Sequence, residues 1–447
     1  MNPKSLSTSM LCRSVRKLAC AGVLVYALTL VAAGTAQAQT FQLIHSFATG
    51  GAGGTNPVAG LTLDPAGNLY GTTTEGGFGG SGTVFRLSHK GSGWVLNVLH
   101  SFTGGSDGGE PNAGLIFDRA GNLYGTTTEG GELNCGGIYP GGCGTVFELQ
   151  PPPTPCTAEP CPWRETVLHV FIGGNDGAFP VSGDLVFDQA GNLYGTTQAG
   201  GLPSGGNFGS GTVFELSPSG SGWTESVLYK FTESSDGGAP DAGVIFDRAG
   251  NLYGTTTVGG APDCAPVPGC GTVFKLSPSG SGWAESVLYS FTAGTDGWSP
   301  IAGLVFDQSG KLYGAAAFGG ESGGGTVFQL TPSNGSWTLE TLHSFTGEFG
   351  PHDNLVIDGE GNLYGATPSD SHDAGSVFEL MPNGNGGWTY TLLHEFLCDP
   401  FCMDGAGPDG RVIFDTNGNL YGTAQYDGPL VDVGRGVTNG VVWEITP

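Results

Sequence analysis

Gly121-Asn-Leu-Tyr-Gly-Thr-Thr-Thr-Glu-Gly-Gly131 recurs along the chain, with near-copies centred on Tyr70, Tyr124, Tyr194, Tyr253, Tyr313, Tyr364 and Tyr421. Successive copies lie between 51 and 70 residues apart. A period of this length marks an array of small β-units. One unit is clearest over residues 111–171. Pro111-Asn-Ala-Gly-Leu-Ile-Phe-Asp118 reads as a short apolar strand, a, covered on both faces. Arg119-Ala-Gly121 is a turn, and Asn122-Leu-Tyr-Gly-Thr-Thr127 is strand b. After a glycine-rich loop comes strand c, Gly144-Thr-Val-Phe-Glu-Leu149, and then strand d, Trp163-Arg-Glu-Thr-Val-Leu-His-Val-Phe171. All are short, β-branched or aromatic, and separated by turn residues. The penultimate position of strand c reads Arg86, Glu148, Glu215, Lys275, Gln329, Glu379 and Glu444, so it is solvated. Burial is therefore expected to fall from strand a towards strands c and d.

The count of strand d decides the topology. Six copies follow strand c, whereas the seventh repeat stops at Val441-Val-Trp-Glu-Ile445. The missing strand stands at the other end, where Phe41-Gln-Leu-Ile-His-Ser-Phe47 matches Val98-Leu-His-Ser-Phe102. The expected fold is an all-β, closed seven-bladed β-propeller with four strands per blade. Phe41–Phe47 would complete the last blade and remove the open edges.

The 84 glycines and 28 prolines sit at fixed repeat positions, as turn and bulge residues of an ordered β protein. Lys4, Arg13, Arg16 and Lys17, the apolar run Leu18 to Ala33 and Ala36-Gln37-Ala38 together read as a secretory signal over residues 1–38. Residues 39–447 then form one propeller domain with no membrane span. Its removal takes four of the 14 Lys/Arg and none of the 40 Asp/Glu, so the mature chain is strongly acidic. That excludes nucleic acid and anionic membrane surfaces as partners. A cation, a neutral glycan or a protein stays compatible, and a monomer is expected. Eight cysteines remain, in the close pairs Cys135/Cys143, Cys156/Cys161, Cys264/Cys270 and Cys398/Cys402. In an exported chain these read as four local disulfides.

The pattern Gly-Asn-Leu-Tyr-Gly-Thr-Thr, then Gly-Gly, then Gly-Thr-Val-Phe resembles the GloVer tandem repeat of exported "choice-of-anchor" proteins. It holds in full at Gly67–Phe85, Gly121–Phe147, Gly191–Phe214 and Gly250–Phe274. It departs from the pattern at Lys311, at Ala315–Ala317, at Ala366-Thr-Pro368 and at Gly440-Val-Val-Trp443. The order Pro…Asp-x-x-Gly-Asn-Leu-Tyr is similar, more loosely, to NHL-type propeller repeats. The resemblance implies an exported repeat protein and brings no defined catalytic residues. Such proteins often carry a C-terminal anchor. This chain ends directly after strand c with no apolar tail, so a secreted or periplasmic protein without an anchor is expected.

In a four-stranded blade the b–c and d–a loops share one face, the loop face, and the a–b and c–d turns share the other. The b–c loops vary most, spanning 11 to 20 residues from the repeat Tyr to the Gly of strand c. Variable loops on a rigid scaffold are where binding concentrates. Seven aspartates, Asp64, Asp118, Asp188, Asp247, Asp307, Asp358 and Asp415, recur at the a–b turn, where turn chemistry explains them better than calcium. On the loop face Asp107, Asp176, Asp236, Asp296 and Asp404 recur in Asp-Gly pairs of the d–a loop. They read either as turns feeding strand a or as an acidic ring near the channel mouth holding Ca²⁺. The sixth blade breaks the pattern, with Pro351-His-Asp353 and Pro368-Ser-Asp-Ser-His-Asp373. His352, Asp353, Asp370, His372 and Asp373 would then share a face, as a polar loop or as a divalent-metal or acid–base cluster. Trp298, Phe179 and Phe318 are aromatics suited to stacking on sugars. His45, His100, His169, His343 and His394 share one strand-d position that becomes Tyr229 and Tyr289, a swap no metal ligand would tolerate. No His-Glu-x-x-His or phosphate-loop motif is present. The expected function is non-catalytic binding of a glycan or protein through the loop face. The alternatives are a metal-dependent enzyme acting on glycans or lactones, and a structural envelope component.

Overall fold

The Asp-x-x-Gly-Asn turn shows why each blade forms. The Asp118 carboxylate accepts from the N–H of Ala120 (2.8 Å) and Asn122 (2.9 Å), from Asn122 Nδ2 (2.8 Å) and from Tyr124 Oη (3.2 Å). One side chain thus ties the turn to strand b, and its lone pairs are filled within the hairpin. The Asp64, Asp188, Asp247, Asp358 and Asp415 turns repeat these bonds. In the fifth blade Lys311 stands in place of the asparagine, and the Ser309 hydroxyl supplies the extra donor to Asp307.

The computed structural model of the chain describes residues 39–48, 50–132, 135, 140–153, 163–180, 183–201, 209–261, 264, 268–347, 349–368, 374–398, 402–426, 428 and 438–447. It contains seven antiparallel four-stranded sheets, each in the order a-b-c-d. In blade 2 these are Ile116–Phe117, Leu123–Thr127, Thr145–Gln150 and Arg164–Val170. In the last sheet the N-terminal strand Thr40–Ala48 pairs with Thr438–Thr446, which pairs with Leu420–Ala424 and then Ile413–Phe414. The seven-bladed ring is closed by the N-terminal strand.

Packing explains the glycines of the motif. The ring of Phe147 on strand c lies across Gly125 on strand b, and a Cβ there would sit 2.7 Å from Phe147 Cζ. Gly144, at the entry to strand c, has φ +89°, and a Cβ would meet Thr127 O and Pro180 Cδ of the next blade. The Phe ending each strand d continues the core into the next blade. Phe47–Phe85, Phe102–Phe147 and Phe171–Phe214 pack edge to face at 5.1–5.2 Å, and Phe396 meets Trp443 at 6.2 Å. Such aromatic pairs add about 1 kcal/mol beyond the area they bury.

Burial departs from the expected gradient. Strand b is buried along its whole length in six blades, whereas the two paired residues of every strand a are half-buried. Strand a borders the open axis and is covered on one side only, so burial peaks one strand further out. Between blades, Asn56, Glu110, Phe179, Ala239 and Ser299 adopt left-handed φ of +50° to +59°. The N–H of Glu110 donates to Ser81 O of blade 1, and its carbonyl accepts from Thr128 N of blade 2. The bonds that staple the blades outweigh a backbone cost of about 1 kcal/mol.

Three of the expected disulfides are present, Cys135–Cys143, Cys264–Cys270 and Cys398–Cys402. Cys156 and Cys161 lie outside the described residues, as does the 1–38 leader. Among the described residues no helix is long and apolar enough to cross a membrane.

Candidate binding cup at the axial mouth

The d–a loop and the start of strand a build the loop-face end of the axis. After the recurring Pro comes His352 in blade 6, Asp409 in blade 7 and Asp241 in blade 4. His352 Nδ1 lies 3.0 Å from Asp409 Oδ1, and His352 Nε2 is buried without a hydrogen-bond partner. Asp241 faces both residues. Burial, reinforced by Asp409 and opposed by His352, pushes its carboxyl up to about 6.

Two positions deeper, the residue before the strand-a Leu or Val is Gly in blades 1, 2, 4 and 5, but Asp184, Asn354 and Arg411 in blades 3, 6 and 7. Arg411 Nη1 crosses the axis to Asp184 Oδ2 at 2.5 Å. Asp184 Oδ1 accepts from Gly114 N (2.9 Å), Asn354 Oδ1 from Gly303 N (2.6 Å) and Asp353 Oδ2 from Arg411 N (2.6 Å). Asp184, Asn354 and Asp353 thus each satisfy a backbone donor on a neighbouring blade. Burial, with Asp184 adding repulsion, pushes Asp353 up to about 7, although Arg411 opposes the shift. The Arg411–Asp184 bridge closes the base of this axial layer, termed the cup.

An aromatic arc leads into the cup. Trp298 stacks on Phe318 (4.4 Å, 19°), Phe318 meets Phe349 edge-on at 5.3 Å, and Phe349 meets His352 at 5.7 Å. Trp298, Phe318 and Phe349 are half-buried. Elsewhere on this face lie Glu75, Glu110 and Glu129, where burial and then the two neighbouring carboxylates raise Glu110. Five of the seven exposed large hydrophobics among the described residues, Phe78, Ile172, Leu397, Met403 and Tyr426, also lie on loop-face segments, which marks this face for contact.

The expected sites fare differently. His352 and Asp353 both reach the axis, yet they have separate partners. Asp370, His372 and Asp373 lie outside the described residues. The Asp107, Asp176, Asp236, Asp296 and Asp404 set does not ring the mouth. Each aspartate is taken up by its own d–a loop beside the outer strand. Asp296 accepts from Thr292 N (2.9 Å), Thr292 Oγ1 (2.8 Å) and Tyr289 Oη (3.0 Å). Asp236 meets Tyr229 Oη at 3.1 Å, and Asp404 meets His394 Nε2 at 2.8 Å. His100 and His169 approach Asp107 and Asp176 at 3.8 and 3.5 Å. Tyr229, Tyr289 and His394 thus serve the loop aspartate alike, whereas His100 Nε2 and His169 Nε2 make no hydrogen bond. Among the described residues no group of three or more His, Cys, Asp or Glu is disposed to hold a metal ion. Asp184, Asp241, Asp409 and Arg411 were not singled out from the sequence. For Asp184 and Arg411 the signal was available by superposing the repeats, since four blades carry Gly at their position, whereas the position of Asp241 and Asp409 varies from blade to blade and gives none.

Solved structures are similar to the chain at low identity. The extracellular domain of a protein assigned to the one-component systems of B. thetaiotaomicron matches at 11% identity and TM-score 0.49, covering 90% of this chain and 40% of that one. A protein assigned as a gluconolactonase matches at 13% and 0.40, covering 92% of each chain. A gluconolactonase from Xanthomonas campestris matches at 12% and 0.37, covering 91% and 89%. No curated protein matches the chain. The model of the Gloeobacter/Verrucomicrobia repeat matches three overlapping stretches, residues 24–261, 140–345 and 265–447. The seven copies of Gly-Asn-Leu-Tyr-Gly that build the ring are thus those of the Gloeobacter/Verrucomicrobia repeat family, to which this chain belongs.

Proposed function

We propose that this propeller is an exported, non-catalytic carbohydrate-binding protein whose ligand sits in the loop-face cup. The observation that carries the reading is the unbroken aromatic run from Trp298 through Phe318 and Phe349 to His352. Aromatic faces stack on the C–H face of a sugar, while the carboxylates of Asp241 and Asp409 accept from its hydroxyls. Three disulfides fit an oxidising, extracellular compartment. The test is calorimetric titration of the purified protein with neutral cello-, xylo-, malto- and chito-oligosaccharides. One class should bind saturably, and Trp298→Ala should weaken it about tenfold, the loss of about 1.4 kcal/mol of stacking and packing. If no oligosaccharide binds at millimolar concentration, the reading fails.

One observation favours a second reading. His352 Nδ1 lies 3.0 Å from Asp409 Oδ1 and Nε2 makes no hydrogen bond, a His–carboxylate pairing of the kind that can act as a base. In that reading the cup hydrolyses a sugar lactone or ester, with His352 abstracting a proton from water. A pH-stat assay with glucono-lactone decides it. A rate abolished by His352→Ala supports the enzyme, and a rate unchanged by it removes the enzyme. Metal analysis of the same samples covers the Ca²⁺ alternative.

A further inference from the structure

The opposite end of the axis holds a cavity of about 940 Å³ between the a–b turns of blades 2, 3 and 4. Drug-sized ligands occupy cavities of this order. Its apolar walls are Phe117, Phe187 and Phe246. Each is held edge-on against the repeat tyrosine of the preceding blade, at 5.0 Å from Tyr70, 5.1 Å from Tyr124 and 5.0 Å from Tyr194. Each ring is also half-buried, so it retains an open edge.

The polar rim is unusual for so acidic a chain. Arg119 and Arg248 stand on the turns of blades 2 and 4, with Gln189 on the turn between them. Both arginines are exposed, and among the described residues neither makes an ion pair. The aspartates of the same turns are already committed. Asp188, for example, accepts from Ala190 N, Asn192 N, Asn192 Nδ2 and Tyr194 Oη. Burial disfavours the Asp247 carboxylate, but its bonds from Asn251, Ala249 and Tyr253 prevail and hold its carboxyl below the usual range. The rim therefore offers two guanidinium forks and an amide as donors, over an apolar floor, with its acceptors filled from within.

We propose that this turn-face pit is a binding site for a small, flat carboxylate, its ring against the three phenylalanines and its carboxylate held by Arg119 and Arg248. Guanidinium matches carboxylate with paired, charge-assisted hydrogen bonds. The site is independent of the loop-face cup, since the Arg411–Asp184 bridge spans the axis between them.

Titration of the full mature protein with 2-naphthoate in low-salt buffer, followed by calorimetry, tests the site, with 2-naphthylmethanol as the uncharged probe. One equivalent of naphthoate should bind, and affinity should fall as salt rises. The double variant Arg119→Gln/Arg248→Gln should weaken naphthoate about tenfold, for two charge-assisted contacts at a solvent-exposed rim. It should leave naphthylmethanol unchanged. The exposed, unpaired arginines leave folding unaffected, which circular dichroism checks. Phe187→Leu should weaken both probes. Trp298→Ala should alter neither, so loss of the cup and loss of the pit are separable. Naphthoate that does not saturate at millimolar concentration, or that binds the arginine variant equally well, overturns the proposal.

Discussion

Blades 1 to 4 and blades 5 to 7 share one backbone and differ in what joins them. Where blades 1, 2, 3 and 4 meet in turn, the strand-d His or Tyr and its loop aspartate adjoin a glutamate of the next strand d. Burial, then Asp107, pushes Glu165 up to about 7, and burial with Asp236 does the same to Glu285. Burial and Asp176 raise Glu225. Each of the three has a buried Oε1 without a hydrogen-bond partner. In the other half the same seam is apolar or stacked. Tyr289 adjoins Leu339, His343 stacks on Tyr390 at 4.4 Å, and His394 stacks on Phe41 at 3.6 Å. The aromatic arc and His352 also belong to this second half, whereas the arginine-rimmed pit belongs to the first. The ring geometry is thus indifferent to seam chemistry, and the two halves are free to carry different surfaces.

The comparison breaks if the scaffold itself differs between halves. Phe274→Ala in blade 4 and Phe378→Ala in blade 6 remove equivalent, fully buried rings. Each should cost about 4 kcal/mol in denaturant unfolding, and a large inequality would show that one half carries the stability. The bridge joining the halves comes next. Arg411→Ala leaves Asp184 and Asp353 buried beside each other without their cation, and should cost about 3 kcal/mol at pH 8. The loss should shrink towards pH 5, where Asp353 is protonated. An equal loss at both pH values would mean that packing, not charge, holds the axis.

The smallest effect sharpens the contrast between the seams. Glu165 and Glu285 have folded values near 7, above the 4.5 of the free side chain. Their contribution to stability is therefore fully present below pH 4.5 and is lost as pH rises through 7. Glu165→Gln should stabilise the protein at pH 8 by about 1 kcal/mol, after discounting for a half-exposed group, and change nothing at pH 4.5. The measurement is the urea midpoint at each pH. A pH-independent effect would remove the charged-seam account.

Much of this was legible early because the signals are local. Asp118, Gly121 and Asn122 close one turn among themselves, and Phe41–Phe47 matches a strand end by its own side chains. The loop-face prediction came from variable loop length and from the cysteine pairs in those loops. Of the two readings of the repeated Asp-Gly acid, the turn is the one the hydrogen bonds support. Asp107 and its four counterparts recur because each caps its own loop at the rim, where separate blades keep them apart. Convergence happens only at the axis, where the first residues of strand a meet.

From its own residues the chain determined blade number, strand order and ring closure, since alternation, turn chemistry and repeat count act over a few residues at a time. Only the tertiary structure decided which odd residues become neighbours. Arg411 and Asp184 are 227 positions apart and meet because closing the ring brings blades 7 and 3 across one narrow axis. No local pattern encodes that meeting; it follows from the circle.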